Sequence, residues 1–177
     1  MAQRDYYDID DILAGQERVP CLLRVDLDGL GTAGSGTSKV QRNQRWALPY
    51  WMGERLDTEG FIEMSTPAVF SKRANRMYAA SATSMQLRAV SPHYYKFGLQ
   101  LADIVPGLPA VLRSMYMERV QKIAQISQQG QNVEGLEFVQ SLDRTETLVL
   151  QKCQAAQGAI AEWQHGAAYK LNKAGVF

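Results

Sequence analysis

Residues 108–128 read Leu-Pro-Ala-Val-Leu-Arg-Ser-Met-Tyr-Met-Glu-Arg-Val-Gln-Lys-Ile-Ala-Gln-Ile-Ser-Gln, and their spacing decides the fold class. Leu112, Tyr116, Val120 and Ile123 fall on one helical stripe, while Val111 and Met115 widen it beyond the single apolar face of a surface helix. A stripe that wide implies two neighbours. Just upstream, after Ser91-Pro92, the run from His93 to Ile104 is also helical in pattern. Downstream, from a cap-forming Asn132 to Trp163, a second long helix is expected, with Phe138, Leu142, Val149, Cys153, Ala156, Ile160 and Trp163 at steps of 3, 4 or 7. Its small residues Ala155, Ala156, Ala159 and Ala161 permit close approach of another helix, and they equally serve helix propensity alone.

The texture before residue 66 is different. Ile9, Ile12 and Leu13 stand at i, i+3 and i+4 behind leading acids and before Gly15, which predicts a short capped helix. Arg18 to Leu27 is a compact apolar run whose early proline suits an edge strand. Lys39–Ala47 can supply a second strand and Phe61–Met64 a third, with an amphipathic piece between them in which Tyr50, Trp51 and Leu56 can face inward. Pro67 then opens a helix running to about Ser81. The fold class is therefore α+β and mainly α, with a small β-rich unit over residues 1–65 and a helical domain over 66–177.

With 177 residues, the chain is long enough for one substantial core or two small ones. No stretch approaches the roughly 18 uninterrupted apolar residues of a membrane span, so no membrane contact is expected. The N-terminal residues lack an apolar signal-peptide core, which points to the cytosol or nucleus. Lys+Arg 19 against Asp+Glu 18 leaves no polycationic surface of the kind that holds duplex DNA unaided. The local cluster Lys72, Arg73 and Arg76 is the best candidate for a nucleic-acid contact, with a solvated helix face as the plainer reading.

Motifs for chemistry fail on context. Gly29-Leu-Gly-Thr-Ala-Gly34 spells a dinucleotide fingerprint, but the residues after it have no apolar face with which to begin the helix that receives a pyrophosphate. Lys39 follows Ser38, so there is no GK[ST] triplet, and Asp26, Asp28 and Gly29 lack the remaining oxygens of a calcium loop. Cys21 and Cys153 have no CxxC spacing and read as small hydrophobes. His93 and His165 have no visible catalytic partner, and neither a GxSxG elbow nor an HExxH helix occurs. No catalytic residue, cofactor or metal is expected.

Three segments in order resemble one family: Tyr6-Tyr-Asp-Ile-Asp-Asp-Ile-Leu-Ala with Glu17-Arg-Val-Pro-Cys, then Leu48-Pro-Tyr-Trp-Met, then Ser91-Pro-His-Tyr-Tyr-Lys-Phe-Gly-Leu-Gln-Leu. Together they look like subunit 3 of the eukaryotic GINS complex, over Tyr6 to about Trp163. The resemblance implies a nuclear, non-catalytic subunit of a four-protein heterotetramer whose subunits each pair a helical A domain with a small β-rich B domain, the B domain here coming first. It further implies that the tetramer joins cell division control protein 45 and the minichromosome maintenance ring to form the replicative helicase, with ATP hydrolysis belonging to the ring and DNA contact by this subunit indirect or weak.

The residues argue separately for partners, because helices apolar on more than one side cannot shelter both sides in so small a domain. Tyr94, Tyr95 and Phe97 lie within one helical turn, so at least one is expected to point away from its own core. Tyr116 and Trp163 are further interface candidates, with ordinary core packing open for each. Trp51 is assigned to packing between the two domains. A helical adaptor that binds nucleic acid directly through Lys72, Arg73 and Arg76 is the alternative function.

Overall fold

A computed structural model of the chain describes residues 7–28, 39–129 and 135–166. Helix α1 (Ile9–Gly15) opens as expected: the Asp8 carboxylate accepts hydrogen bonds from the amides of Asp10 (3.0 Å) and Asp11 (3.4 Å), satisfying donors that the helix leaves unpaired. Strand β1 (Arg18–Leu23) alternates Val19, Cys21 and Leu23 into the core. It lies in the middle of its sheet, not at the edge, between β4 (Arg45–Pro49) and β5 (Ile62–Met64), both antiparallel to it. Pro20 is tolerated there because its carbonyl accepts from the Ser65 amide (2.8 Å), one residue past β5, so its missing N–H falls where that strand has already ended.

The second predicted strand is split. Lys39–Val40 forms β3, paired in a separate ribbon with β2 (Leu27–Asp28), and a turn through Asn43 at φ 67° precedes β4. Asparagine is among the few side chains that take this left-handed conformation readily. Helix α2 (Tyr50–Thr58) leads into β5, and a 3-10 turn at Ala68–Phe70 precedes α3 (Lys72–Ala80), capped by Ser71.

The helical part continues with a 3-10 turn at Ala82–Ser84, α4 (Leu87–Val90), α5 (Tyr94–Gln100), α6 (Leu108–Ser127), α7 (Glu137–Gln140) and α8 (Arg144–Gln164). The single long helix expected toward Trp163 is thus two, broken at 141–143, and its predicted start at Asn132 lies outside the described residues.

One hydrophobic core runs without a break across residue 65, from Val19, Cys21 and Leu23 of the sheet through α5 to Leu112 and Met115 of α6. A second, smaller cluster joins Ile123 and Ile126 of α6 to Phe138, Leu142 and Leu150. Aromatic rings string the two parts of the main core together. Tyr50 meets Phe97 edge-on (6.5 Å), Phe97 meets Phe70 (5.5 Å), Phe70 meets Tyr94 (5.0 Å), Tyr94 meets Tyr95 (5.6 Å), and Tyr95 meets Tyr116 (5.2 Å).

This string overturns the expectation that one of the three α5 aromatics points outward. Tyr94, Tyr95 and Phe97 are all buried, because the short α5 is wrapped by a different part of the same chain in each direction. At its closest approach to α6 there is no room for a side chain: a Cβ at Gly98 would stand 2.7 Å from Leu112 Cδ1. The sheet unit is joined to α5 by Tyr50 rather than by Trp51. The Tyr50 hydroxyl donates to the Gln100 carbonyl (2.7 Å), and its own amide donates to the Glu17 carbonyl (2.9 Å). Trp51, one residue on, is 52% exposed.

Candidate partner interface

Helix α8 is set by a buried charged junction. Asp143 caps it, its Oδ1 accepting from the Glu146 amide (2.8 Å), while Glu146 Oε2 takes the Asp143 amide in return (3.4 Å), a complete capping box. Glu146 also receives Arg119 from α6 in a two-pronged bond, Nε to Oε1 at 2.7 Å and Nη2 to Oε2 at 2.9 Å, and the Tyr95 hydroxyl at 2.8 Å. The remaining guanidinium hydrogens go from Nη1 to the carbonyls of Ala82 (2.8 Å) and Met85 (3.0 Å) and from Nη2 to Ser141 Oγ (3.4 Å). All five donors are thereby used, as a fully buried guanidinium requires. The Phe138 ring lies 4.9 Å from its central carbon.

Sequence reasoning passed over this junction, although Asp143-Arg-Thr-Glu146 is a legible capping box. Arg119 occupies the inner line of α6 between Met115 and Ile123, where the apolar stripe skips a beat. Burial, with the Glu146 charge adding to it, pushes the Asp143 carboxyl up to about 6, and burial together with Glu146 raises the Tyr95 hydroxyl.

Beyond this anchor α8 leaves the rest of the chain. Leu150 is its last buried residue, Cys153 and Gln154 are half-buried, and every residue from Ala155 through Gly166 is exposed. The stripe Val149, Cys153, Ala156, Ile160, Trp163 continues straight into this stretch, at alternating steps of 4 and 3 that keep one seam in line. Its outer members are left bare, with Ile160 48% and Trp163 72% exposed. Some 15 Å of helix, counting about 1.5 Å per residue, therefore presents an apolar seam to which no other element among the described residues is packed.

The other expected sites fall out as follows. Tyr116 is half-buried against Tyr95, and the wide stripe of α6 is covered mainly by α3, α5, α8 and the 3-10 turn at Ala82–Ser84, so the stripe itself finds its neighbours within the chain. Lys72, Arg73 and Arg76 are exposed on α3, and among the described residues none has an acidic partner within ion-pair distance. His93 Nδ1 lies 3.9 Å from Asp10 Oδ1 without a hydrogen bond, and the His165 amide closes α8 on the Ala161 carbonyl (3.0 Å). The Cys21 thiol is buried and raised by that burial, and Cys153 is half-buried. The glycine motif at 29–34 lies outside the described residues. Among those residues no group of His, Cys, Asp and Glu is placed to hold a metal, and no helix is long and apolar enough to cross a membrane.

A small antiparallel sheet wedged against a helical bundle, with one bundle helix overshooting its own core, is the build of a subunit meant for assembly. A family model described as the GINS complex protein helical bundle domain matches residues 69–165, more than half the chain, and one for the PSF3 N-terminal domain matches residues 7–58. The chain is 30% identical to the DNA replication complex GINS protein PSF3 of Kluyveromyces lactis, over 89% of this chain and 97% of the relative. It is 29% identical to that of Schizosaccharomyces pombe, over 91% and 98%, and 23% identical to that of Xenopus laevis, over 96% and 84%. The chain belongs to the Psf3 family of GINS complex proteins.

Two outcomes follow from the junction. Arg119→Met leaves the buried Glu146 carboxylate without its cation and should destabilise α8 and its neighbours by about 3–5 kcal/mol, read as opening free energy by amide hydrogen exchange. In the pH dependence, the Asp143 carboxyl sits at about 6 in the fold against 3.8 unfolded, so between those values the folded chain holds a proton that the unfolded chain has lost. The contribution of Asp143 to the first turn of α8 should therefore be fully present below about pH 4 and be lost as pH rises to about 6. Asp143→Asn, a cap of equal quality, should flatten that profile.

Proposed function

We propose that the chain is a non-catalytic scaffold subunit of the GINS heterotetramer, holding the other three GINS subunits, and that this tetramer joins cell division control protein 45 and the minichromosome maintenance ring in the nucleus to form the replicative DNA helicase. The observation that carries this reading is the exposed distal half of α8, with Ala156, Ile160 and Trp163 in line and, among the described residues, none packed upon them. Apolar surface of that kind is the core of an obligate interface rather than a resting surface. Membership of the family supports the other GINS subunits as the partners that cover this seam. The division into a β-rich B domain over 1–65 and a helical A domain over 66–177 belongs to the same reading, supported by the gap between the two family-model matches.

The test is co-expression. With three GINS partners the wild-type chain should be recovered in equal stoichiometry, and alone it should be recovered in much lower soluble yield. Ile160→Glu combined with Trp163→Glu, both at exposed positions, should abolish recovery of the tetramer. A tetramer that forms unimpaired with both glutamates in place contradicts the reading.

A second reading is kept for α3, favoured by three exposed cations at Lys72, Arg73 and Arg76 that have no acidic partner among the described residues. Direct nucleic-acid binding through them predicts affinity falling steeply with salt, by a slope of roughly −0.9 per phosphate neutralised. A flat salt response, or one unaltered by replacing all three with Ala, removes it.

A further inference from the structure

Helix α1 sits with its polar side inward. Asp8 pairs with Lys96 Nζ, the Asp11 carboxylate and carbonyl accept from Gln100 Nε2 (2.8 and 3.0 Å), and Asp10 Oδ1 lies 3.9 Å from Arg144 Nε. The side that an amphipathic helix ordinarily buries is turned out instead, with Ile9 70%, Ile12 53% and Leu13 46% exposed. This apolar side borders a cleft of about 330 Å³ between α1 and the start of α2, with Ile12 and Trp51 as walls and Gly15 between them.

Gly15 has no conformational reason to be glycine, since its φ is not in the left-handed region, and no packing reason either. A Cβ there would rest 3.9 Å from both Trp51 Cβ and Gln100 Oε1, in ordinary contact. A residue with room for a side chain that carries none keeps the cleft open. The charge differs among the acids of this helix: Asp8 and Asp10 face cations, whereas Asp11, which lines the cleft, is met among the described residues by the Gln100 amide and by no cation.

We propose that this cleft docks an amphipathic segment of another polypeptide, which inserts one large apolar side chain between Ile12 and Trp51 over Gly15 and places a Lys or Arg within a helical turn of it, against Asp11. The volume holds one such side chain, and the exposed Ile9 and Leu13 extend the contact along the segment. The surface is separate from the α8 seam and does not rest on the function assigned to that seam.

The test places the photoreactive residue 4-benzoylphenylalanine at Leu13 of the full-length chain in cells, co-expressed with its GINS partners, and sequences what is captured. The expected product is a crosslink to a segment with an apolar residue flanked within four positions by Lys or Arg. Gly15→Met and Ile12→Glu should each cut its yield by about tenfold, and Asp11→Asn by several-fold. Ile12 is exposed, so its variant reports docking even if Met at Gly15 disturbs the fold. Several results would overturn the proposal: no capture above that of the same group at exposed Gln41, capture of a second copy of this chain or of a segment without cations, or a yield indifferent to both Ile12→Glu and Gly15→Met. Recovery of the tetramer is scored in the same cells, so an intact assembly without capture at Leu13 sinks this inference alone.

Discussion

The two-pronged bond from Arg119 to Glu146 is the constraint around which the helical part is arranged. A guanidinium with no solvent must spend every donor inside the protein, and its five acceptors come from the turn after α3, the segment between α7 and α8, and the first turn of α8. Those elements cannot move independently without stranding a charge, which is far costlier than losing an apolar contact. Because Glu146 is also one half of the α8 capping box, the pair fixes the point and direction from which α8 departs. The bare seam farther along the helix inherits its aim from that junction.

The molecule thus separates what orders the chain from what it offers to others. Inside, the string of rings from Tyr50 to Tyr116 welds the sheet to the helices, and the glycine at 98 lets α5 lie directly on Leu112. Outside, the distal half of α8 and the outward side of α1 each present several apolar side chains in line. Neither surface resembles a catalytic cleft.

Local periodicity made much of this legible in advance. The α1 cap at Asp8, the short strand before Met64 and the full extent of α6 follow from spacings within a few residues. The start of α8 did not, because Leu142 and Val149 stand seven apart and keep the stripe in phase across the break, so one helix and two look alike. Arg119 was invisible to a pattern that counts only apolar positions. The aromatics of α5 were misassigned because wheel geometry says which directions rings point but not whether the same chain lies in each of them. Spacing puts Ile160 and Trp163 on the stripe, and the structure adds where along α8 the cover from the described residues stops.

Amide hydrogen exchange on residues 155–164, compared between the isolated full-length chain and the chain within the assembled tetramer, tests the central point most directly. Protection in that stretch should be slight in the isolated chain, while residues near Arg119 stay guarded, and should rise by about a hundredfold or more upon assembly. Equal, strong protection of 155–164 in the isolated chain would mean that α8 needs no companion, and the interface proposed for it would be refuted.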